Sequence, residues 1–445
     1  MQIAATLNRF GRQIVEVSLR RQFFRNVAVV LTGAALAQLI TVALSPVISR
    51  LFSPAAFGAL GTFMALLGLI GPIATLTYSA AIVLPKHDEE SAAVVWLSLL
   101  ISAVVSIISL VAIVLFDTYS TGNWLESVQS LLYLVPLVIV FEAVFQVAQQ
   151  CMIRERRYRQ TAQISIIQAA VSSAAKIGAG IFSPSSFSLV LVSLLAVPIN
   201  AVLLGLALNS NSSRSWWPAP APLKAISATA IRYLDFPLYR APQSLISAVS
   251  LSLPLLILAY FHGPAAAGFF TLSNSVLGSP TQLLTKAIND VFFPRLVDAS
   301  HKGEQTKLLI LKAAGALGAV SIIPLGAVAL AGPFLFQLVF GARWLEAGEY
   351  SQWLSLLTFT TLVLRSGLSA VPILNMQGTY LIFEIASTIL KLGSLSITLF
   401  ADLPPIVPIA LFAITGSVTN ALFFWYVIIK SEQFDKGNSH VAIAQ

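Results

Sequence analysis

Charged residues are scarce in this sequence. Aspartate, glutamate, lysine and arginine make up 10% of its 445 residues, whereas hydrophobic residues make up 57%. A soluble domain usually carries about 25% charged residues. So few charges cannot cover the surface of a soluble protein of this length, and so apolar a chain cannot remain disordered in water. The composition therefore indicates an integral membrane protein.

Cysteine and histidine are also rare, which limits the chemistry available to the chain. The single cysteine, Cys151, excludes an intramolecular disulfide, and the four histidines lie far apart with no metal-ligand spacing. The sequence contains no Gly-x-x-x-x-Gly-Lys-Ser/Thr phosphate loop, no Gly-x-Ser-x-Gly turn and no His-Glu-x-x-His pair. We therefore expect no metal, no cofactor and no enzymatic activity.

Long apolar runs, in contrast, are abundant. A helix that crosses a bilayer needs about 20 mostly apolar residues, and the chain contains twelve such runs. They predict an all-α polytopic membrane protein with twelve transmembrane helices. The predicted spans are residues 26–49, 56–84, 92–116, 128–150, 161–182, 186–208, 242–261, 265–294, 307–335, 347–374, 379–400 and 404–429.

The spans divide into two sets of six. Pro54-Ala-Ala-Phe-Gly58 follows span 1, and Pro264-Ala-Ala-Ala-Gly268 follows span 7. Because six is even, both sets share one orientation, which predicts two lobes related by a parallel pseudo-two-fold repeat around a central cavity. The predicted segments are a basic cytoplasmic N-terminal segment (1–25), the first lobe (26–208), a cytoplasmic amphipathic linker (209–241), the second lobe (242–430) and a cytoplasmic tail (431–445).

The distribution of lysine and arginine predicts the orientation. With both termini in the cytoplasm, 19 of the 26 cations lie in cytoplasmic segments, and only Arg50 and Arg343 lie on the opposite side. This positive-inside bias accounts for the net charge of +8, so a nucleic-acid partner is not expected. In the linker, apolar residues between Leu223 and Leu234 recur on one helical face, which predicts an amphipathic helix on the cytoplasmic leaflet.

Ionisable residues within the spans are functional candidates, because a charge at membrane depth costs several kcal/mol unless it faces protein or water. Lys312 lies close enough to the end of span 9 to reach the interface. Lys286 and Asp290 are spaced i,i+4, so they either neutralise each other or respond to protons. Glu142 is either a protonated core acid or a proton relay.

The remaining charges in the spans predict a mildly cationic cavity. Glu384 and Lys391 are two turns apart on one helix and should point into the same cavity. Lys176 and Arg365 add two further positive charges. Basic side chains can replace the hydration of a phosphate, so such a cavity suits an anionic headgroup.

Short motifs over nearly the whole chain occur in a specific order. They are Leu31–Leu39, Ser45–Gly58, Tyr78–Pro85, Arg232–Tyr239, and Gly263–Gly268 followed by Leu277–Pro280. In this order they resemble bacterial oligosaccharide flippases, the Wzx-type polysaccharide transporters of the multidrug/oligosaccharidyl-lipid/polysaccharide exporter superfamily.

The resemblance implies a V-shaped carrier in the bacterial inner membrane. It would move an undecaprenyl-pyrophosphate-linked oligosaccharide, such as an O-antigen unit of lipopolysaccharide or another surface polysaccharide, from the cytoplasmic to the periplasmic leaflet. Arg50 matches the family's arginine at the outer end of span 1, where it either binds substrate or anchors the helix. We expect a monomer that contacts membrane lipids and other polysaccharide assembly proteins.

Two sets of site residues follow. Because the sequence has no ATP-binding motif, we expect alternating access driven by an ion gradient. The predicted substrate-binding residues are Arg50, Lys176, Arg365 and Lys391, and the predicted ion- or proton-coupling residues are Glu142, Lys286, Asp290 and Glu384.

Two alternatives remain open from the sequence. One is a cation-coupled drug or metabolite exporter of the same superfamily, whose cavity would be expected to carry the opposite charge. The other is a membrane polymerase or ligase of lipid-linked glycans, which would be expected to hold catalytic residues in a large outer loop.

Overall fold

A computed structural model of the protein describes residues 32–119, 129–210, 221–288, 292–396 and 403–443. Within these ranges the regular secondary structure is entirely helical. A helix satisfies its backbone hydrogen bonds within one segment, as a lipid environment requires. The predicted all-helical class is therefore confirmed.

The first half of the chain forms seven α-helices. Ser53 caps the second of them, because its hydroxyl accepts a hydrogen bond from the Ala56 amide at 3.2 Å. A 3₁₀ helix, Tyr78–Val83, separates the second helix from the third. The helices are α1 (Thr32–Leu51), α2 (Pro54–Ala74), α3 (Asp88–Tyr119), α4 (Gln129–Leu132), α5 (Val135–Arg154), α6 (Tyr158–Phe182) and α7 (Ser186–Ser210).

The second half begins with the linker helix and then repeats the pattern of long helices. A π-helical turn, Phe236–Arg240, leads into the longest helix, and a 3₁₀ turn, Ala342–Trp344, connects two others. The helices are α8 (Leu223–Arg232), α9 (Ala241–Ala287), α10 (Phe293–His301), α11 (Thr306–Phe340), α12 (Leu345–Leu368), α13 (Gln377–Ser396) and α14 (Ile406–Ile443).

The described helices account for the twelve predicted spans. Nine segments of the described ranges are long and apolar enough to cross a membrane. One of these, Phe236–Thr285, has 50 residues and breaks at Gly263 (φ 82°, ψ 176°), so it contains spans 7 and 8. Spans 10 and 11 correspond to α12 and α13, which pack with α11 and α14 in the second lobe. The described ranges therefore contain twelve membrane helices in two lobes.

Two spans are shorter than predicted. Span 2, predicted as 56–84, ends at Ala74, because Leu76 and Thr77 adopt positive φ and the Thr75 hydroxyl makes hydrogen bonds outside the helix. Span 10, predicted as 347–374, ends at Leu368. A turn containing Pro372, which lacks an amide hydrogen, follows it.

The predicted terminal and linker segments are only partly described. Residues 1–25 lie outside the described residues, as does 211–220 of the linker. The segment predicted as a tail, 431–445, is largely helical, because α14 continues to Ile443.

The linker helix α8 packs on the first lobe rather than standing apart from it. Ile226 and Thr229 are buried, and the Tyr78 hydroxyl donates to the Ala230 carbonyl at 2.9 Å. Glu90, at the start of α3, pairs with Arg232 at 2.7 Å and accepts from the Tyr233 hydroxyl at 3.1 Å. Burial and this hydrogen bond raise the pKa of Tyr233.

The two lobes meet along α2 and α9. This contact lies toward the end of the bundle that carries residues 50–54, 263–264 and 340–345, which we call the Arg50 end. The opposite end carries residues 85–88, 154–157 and 302–307, and we call it the Arg154 end. A buried cluster from both lobes, including Phe52, Phe57, Phe269 and Trp344, fills the contact.

At the Arg154 end, Asp435 of α14 caps the start of α11. Its carboxylate accepts from the Thr306 and Lys307 amides, both at 3.0 Å, and from the Thr306 hydroxyl. Helix caps of this kind contribute about 1 kcal/mol. We expect Asp435→Ala to lower the thermal unfolding midpoint in detergent.

Glu432→Ala is the matched control for this prediction. Glu432 lies one turn earlier on α14 and forms only exposed ion pairs, with Lys307 and Lys436, which contribute little to stability. Equal midpoints for the two variants would contradict the assigned capping role.

Candidate functional site

Three half-buried cations within the membrane helices make no hydrogen bond or ion pair with the described part of the chain; Lys312, which also makes none, is exposed. Lys176 lies on α6 in the first lobe, whereas Arg365 on α12 and Lys391 on α13 lie in the second. All three are half-buried. The buried Nε atom of Arg365 has no hydrogen-bond partner among the described residues. These side chains therefore retain donors for a ligand.

Basic side chains at the Arg154 end are engaged differently. Arg154 donates to the Ile82 and Pro85 carbonyls at 3.1 and 2.7 Å and pairs with Asp88. Arg157 donates to the Ala207 carbonyl at 2.8 Å and pairs with Glu155. These contacts hold helix ends together, which leaves the intramembrane cations as the better candidates for substrate binding.

Arg365, Glu384 and Lys391 belong to one charged group in the second lobe. Glu384 acts electrostatically on Lys391 and on Tyr380, and Arg365 also acts on Tyr380. The Lys391 stem runs past Gly416 of α14, where a Cβ atom would lie 3.3 Å from it. That Glu384 and Lys391 point into the same cavity stays a prediction.

Glu142 lies in a separate polar network within the first lobe. Gln146, one turn along α5, donates from its side-chain nitrogen to Glu142 Oε1 at 3.2 Å and to the Gly71 carbonyl at 3.3 Å. Its side-chain oxygen accepts from the Thr75 and Ser79 hydroxyls at 3.1 and 3.3 Å. The side-chain amide of Gln146 thus uses both of its donors and both of its acceptor positions. This network fixes the position of Glu142 Oε1.

The same glutamate also lines a cavity. The cavity has a volume of about 240 Å³ and lies between α2, α5 and α7. Apart from Glu142 it is lined by apolar side chains and glycines, namely Met64, Leu67, Gly68, Ile70, Gly71, Ala74, Val138, Ile139 and Val197. Glu142 is therefore an ionisable group placed between a fixed hydrogen-bond network and an apolar cavity.

Arg50 lies at the junction of the lobes, away from the charged residues of the second lobe and from the Glu142 network. Its Nη2 atom donates to the Leu338 and Val339 carbonyls at the end of α11, at 3.3 and 3.1 Å. Because a helix C-terminus carries partial negative charge, a guanidinium is favourable there. The structure places this predicted substrate residue in contact with protein, across the lobe boundary.

Two predicted coupling residues have no described side chain. Asp290 is one of them, and the other is Lys286, which lies on α9 but whose side chain is not described. Among the described residues there is no group of three or more histidine, cysteine, aspartate or glutamate side chains that could hold a metal.

Sequence reasoning missed the polar network around Glu142, in which Gln146 contacts Glu142 and Thr75 and Ser79 contact Gln146. Gln146 could have been found from its i,i+4 spacing to Glu142. Thr75 and Ser79 could not, because they follow a helix end that the apolar pattern of span 2 concealed. The interaction of Tyr380 with Glu384 was also missed, although these two residues too have i,i+4 spacing.

Comparison with known proteins gives consistent matches. A family model described as "Polysaccharide biosynthesis protein" matches residues 47–349. The succinoglycan biosynthesis transport protein ExoT of Rhizobium meliloti is 23% identical over 68% of this chain and 59% of its own length. The amylovoran biosynthesis protein AmsL of Erwinia amylovora is 22% identical over 38% of this chain and 45% of its own. The chain thus spans about half the length of these relatives.

Solved structures show the same fold at low identity. A multidrug resistance MATE family transporter of the MOP superfamily, in an inward-facing conformation, aligns with a TM-score of 0.69 at 14% identity over 92% of this chain and 99% of that chain. A MOP superfamily transporter from Pyrococcus furiosus aligns with a TM-score of 0.60 at 15% identity, over 93% and 96% of the two chains. Both likenesses concern the arrangement of helices.

Proposed function

Since this chain belongs to the polysaccharide biosynthesis protein family of Wzx-type polysaccharide transporters, we propose that it flips a lipid-linked oligosaccharide. The cargo would be an undecaprenyl-pyrophosphate-linked repeat unit of O-antigen or another surface polysaccharide, moved from the cytoplasmic to the periplasmic leaflet. The names of the two relatives, which concern succinoglycan transport and amylovoran biosynthesis, support a polysaccharide unit as cargo. The bacterial inner membrane follows as the location.

The observation that carries this proposal is the set of three half-buried intramembrane cations that make no ion pair with the described residues. A pyrophosphate that enters the membrane loses its hydration, and charged donors compensate best for that loss. Arg365 and Lys391 lie on α12 and α13 of one lobe, both of which pack on α14, and Lys176 lies in the other lobe. Binding to both lobes would let one substrate contact each half of the carrier, as alternating access around a central site requires.

Glu142 is the proposed coupling residue. A proton that binds or leaves there changes the charge beside an apolar cavity and the hydrogen bonding of Gln146. Through Gly71 and Thr75 this amide contacts the end of α2, the helix that packs against the second lobe. Protonation at Glu142 thereby acts on the helix that joins the lobes.

The proposed orientation places the Arg154 end in the cytoplasm. The positive-inside bias of the sequence supports this assignment, because the basic residues collect at that end. The Arg50 end then faces the periplasm, and both termini lie in the cytoplasm.

The direct test is a flipping assay in proteoliposomes. Purified protein is reconstituted with a fluorescent undecaprenyl-pyrophosphate-linked oligosaccharide, and the fraction that becomes accessible to a membrane-impermeant quencher is followed with time. We expect flipping above the rate of empty liposomes, with little for the same lipid lacking its pyrophosphate.

A parallel assay with a lipophilic cationic drug addresses the exporter alternative. Drug efflux without flipping of the glycolipid would overturn the proposal in favour of that alternative. Transport of neither compound, by protein shown to be folded from its thermal unfolding, would also overturn it.

A further inference from the structure

The two repeat-related turns noted in the sequence meet each other in the fold. Gly58 of α2 packs on the Pro264 carbonyl, and Gly268 of α9 packs on the Pro54 carbonyl. A Cβ atom on either glycine would overlap the facing oxygen. Each turn thus contributes one proline carbonyl and one glycine to the same reciprocal contact. The contact is possible because glycine has no side chain.

Three further contacts surround this pair at the Arg50 end. Trp344, fully buried in the second lobe, donates from Nε1 to the Ser49 carbonyl of the first lobe at 2.9 Å. Its ring packs edge-on against Phe57, with centroids 5.0 Å apart. Arg50 of the first lobe donates to two carbonyls at the end of α11 in the second lobe. All three contacts join the first lobe to the second.

The close contact between α2 and α9 is confined to part of their length. Further from the Arg50 end, Gly68 still faces Ser252, where a Cβ atom would lie 3.2 Å from the hydroxyl. Gly278, ten residues beyond Gly268 on α9, has nothing of the described chain within 4 Å of its Cβ position. Backbone therefore faces backbone at the turns, whereas further along α2 the glycines face side chains of α9, Thr271 at Gly61 and Ser252 at Gly68.

We propose that the turns Pro54–Gly58 and Pro264–Gly268 form the gate that closes the transport pathway at the Arg50 end. It opens when each glycine separates from the facing proline carbonyl, and Arg50 and Trp344 hold it shut. The contact is reciprocal, so a single rocking of the two lobes against each other breaks both halves together. This inference rests on the proposed alternating-access transport but not on the identity of the cargo.

The test uses full-length protein in which Cys151, a free cysteine, is replaced by serine. Spin labels at exposed positions 183 and 343, one in each lobe at the Arg50 end, report the gate by electron–electron distance measurements. A second pair at exposed positions 159 and 302 reports the Arg154 end. We expect mainly the short gate distance in the otherwise unchanged protein.

Gly58→Ala and Gly268→Ala should each move the gate pair to longer distances and the second pair to shorter ones. Transport should fall roughly tenfold or more, because the cycle must return through the closed gate. Gly278→Ala, on α9 with open space around it, is the matched control and should leave both distances unchanged. Unaltered gate distances in both turn variants would overturn the proposal.

Arg50→Ala guards against misfolding of the glycine variants. It removes a gate contact without adding atoms to a packed interface, and we expect the same direction of distance change with a smaller amplitude. A gate distance unaffected by this substitution would remove Arg50 from the gate. Because distances are measured without cargo, failure of the flipping assay and failure of the gate remain distinguishable.

Discussion

Alanine in place of Arg365 or Lys391 is expected to lower the flipping rate of the lipid-linked oligosaccharide about tenfold in each case. A hydrogen bond to a charged group contributes about 1.5–3 kcal/mol, and 1.4 kcal/mol corresponds to about a tenfold change. Lys176→Ala should act in the same direction from the other lobe. The measurement is the initial rate in proteoliposomes at a fixed protein-to-lipid ratio.

The double variant Arg365→Ala with Lys391→Ala should lose more than either single variant. Both side chains lie in one charged group around Glu384 and Tyr380, so their effects need not add. Lys312→Ala is the matched control, because Lys312 is an exposed cation on α11 near the end of a span. Full rates in all three single variants would remove these cations from the substrate site.

Replacing Glu142 with glutamine should uncouple flipping from the proton gradient. Glutamine keeps the size of the side chain and can still accept a hydrogen bond from Gln146, but it cannot gain or lose a proton. We expect a rate that no longer responds to an imposed pH difference across the liposome membrane, whereas the wild type should respond severalfold. The measurement compares rates with and without the gradient at equal internal pH.

Glu155→Gln provides the control on the same helix. Glu155 caps the end of α5 beside Arg157, outside the apolar span, and its replacement should leave gradient dependence intact. Gln146→Ala should weaken the dependence without abolishing it, because Gln146 positions Glu142 but does not itself exchange a proton. A Glu142→Gln protein that still follows the gradient would assign coupling to another group.

Most of the membrane helices could be predicted from the sequence, because a lipid bilayer restricts both the length and the composition of a helix that crosses it. The apolar runs predicted α6, α7 and α11 within a few residues, since a helix that spans a bilayer must be about 20 residues long. The same rule failed at span 2 and span 10, where a turn lies within an apolar run. Hydropathy averages over such turns, and at span 2 the hydrogen bonds that stabilise the turn come from a distant residue, Gln146.

The candidate site was predictable as a set of residues but not as an arrangement. Charge at membrane depth is costly enough that Glu142, Lys176, Arg365 and Lys391 stand out without any structure. The placement of Glu142 between a hydrogen-bond network and an apolar cavity was not visible in the sequence. It depends on which helix faces pack together, and that is decided by side chains far apart in the chain.

Scarcity of charge, read from the sequence alone, determined the membrane class and the short list of intramembrane ions, and the apolar runs determined the number of spans. The duplicated Pro-Ala-Ala-x-Gly turns indicated the repeat. Only the tertiary structure showed that these turns touch each other and that Arg50 reaches the end of α11 rather than standing free. A repeat in sequence defines equivalent positions, but the packing of two lobes decides which of those positions come into contact.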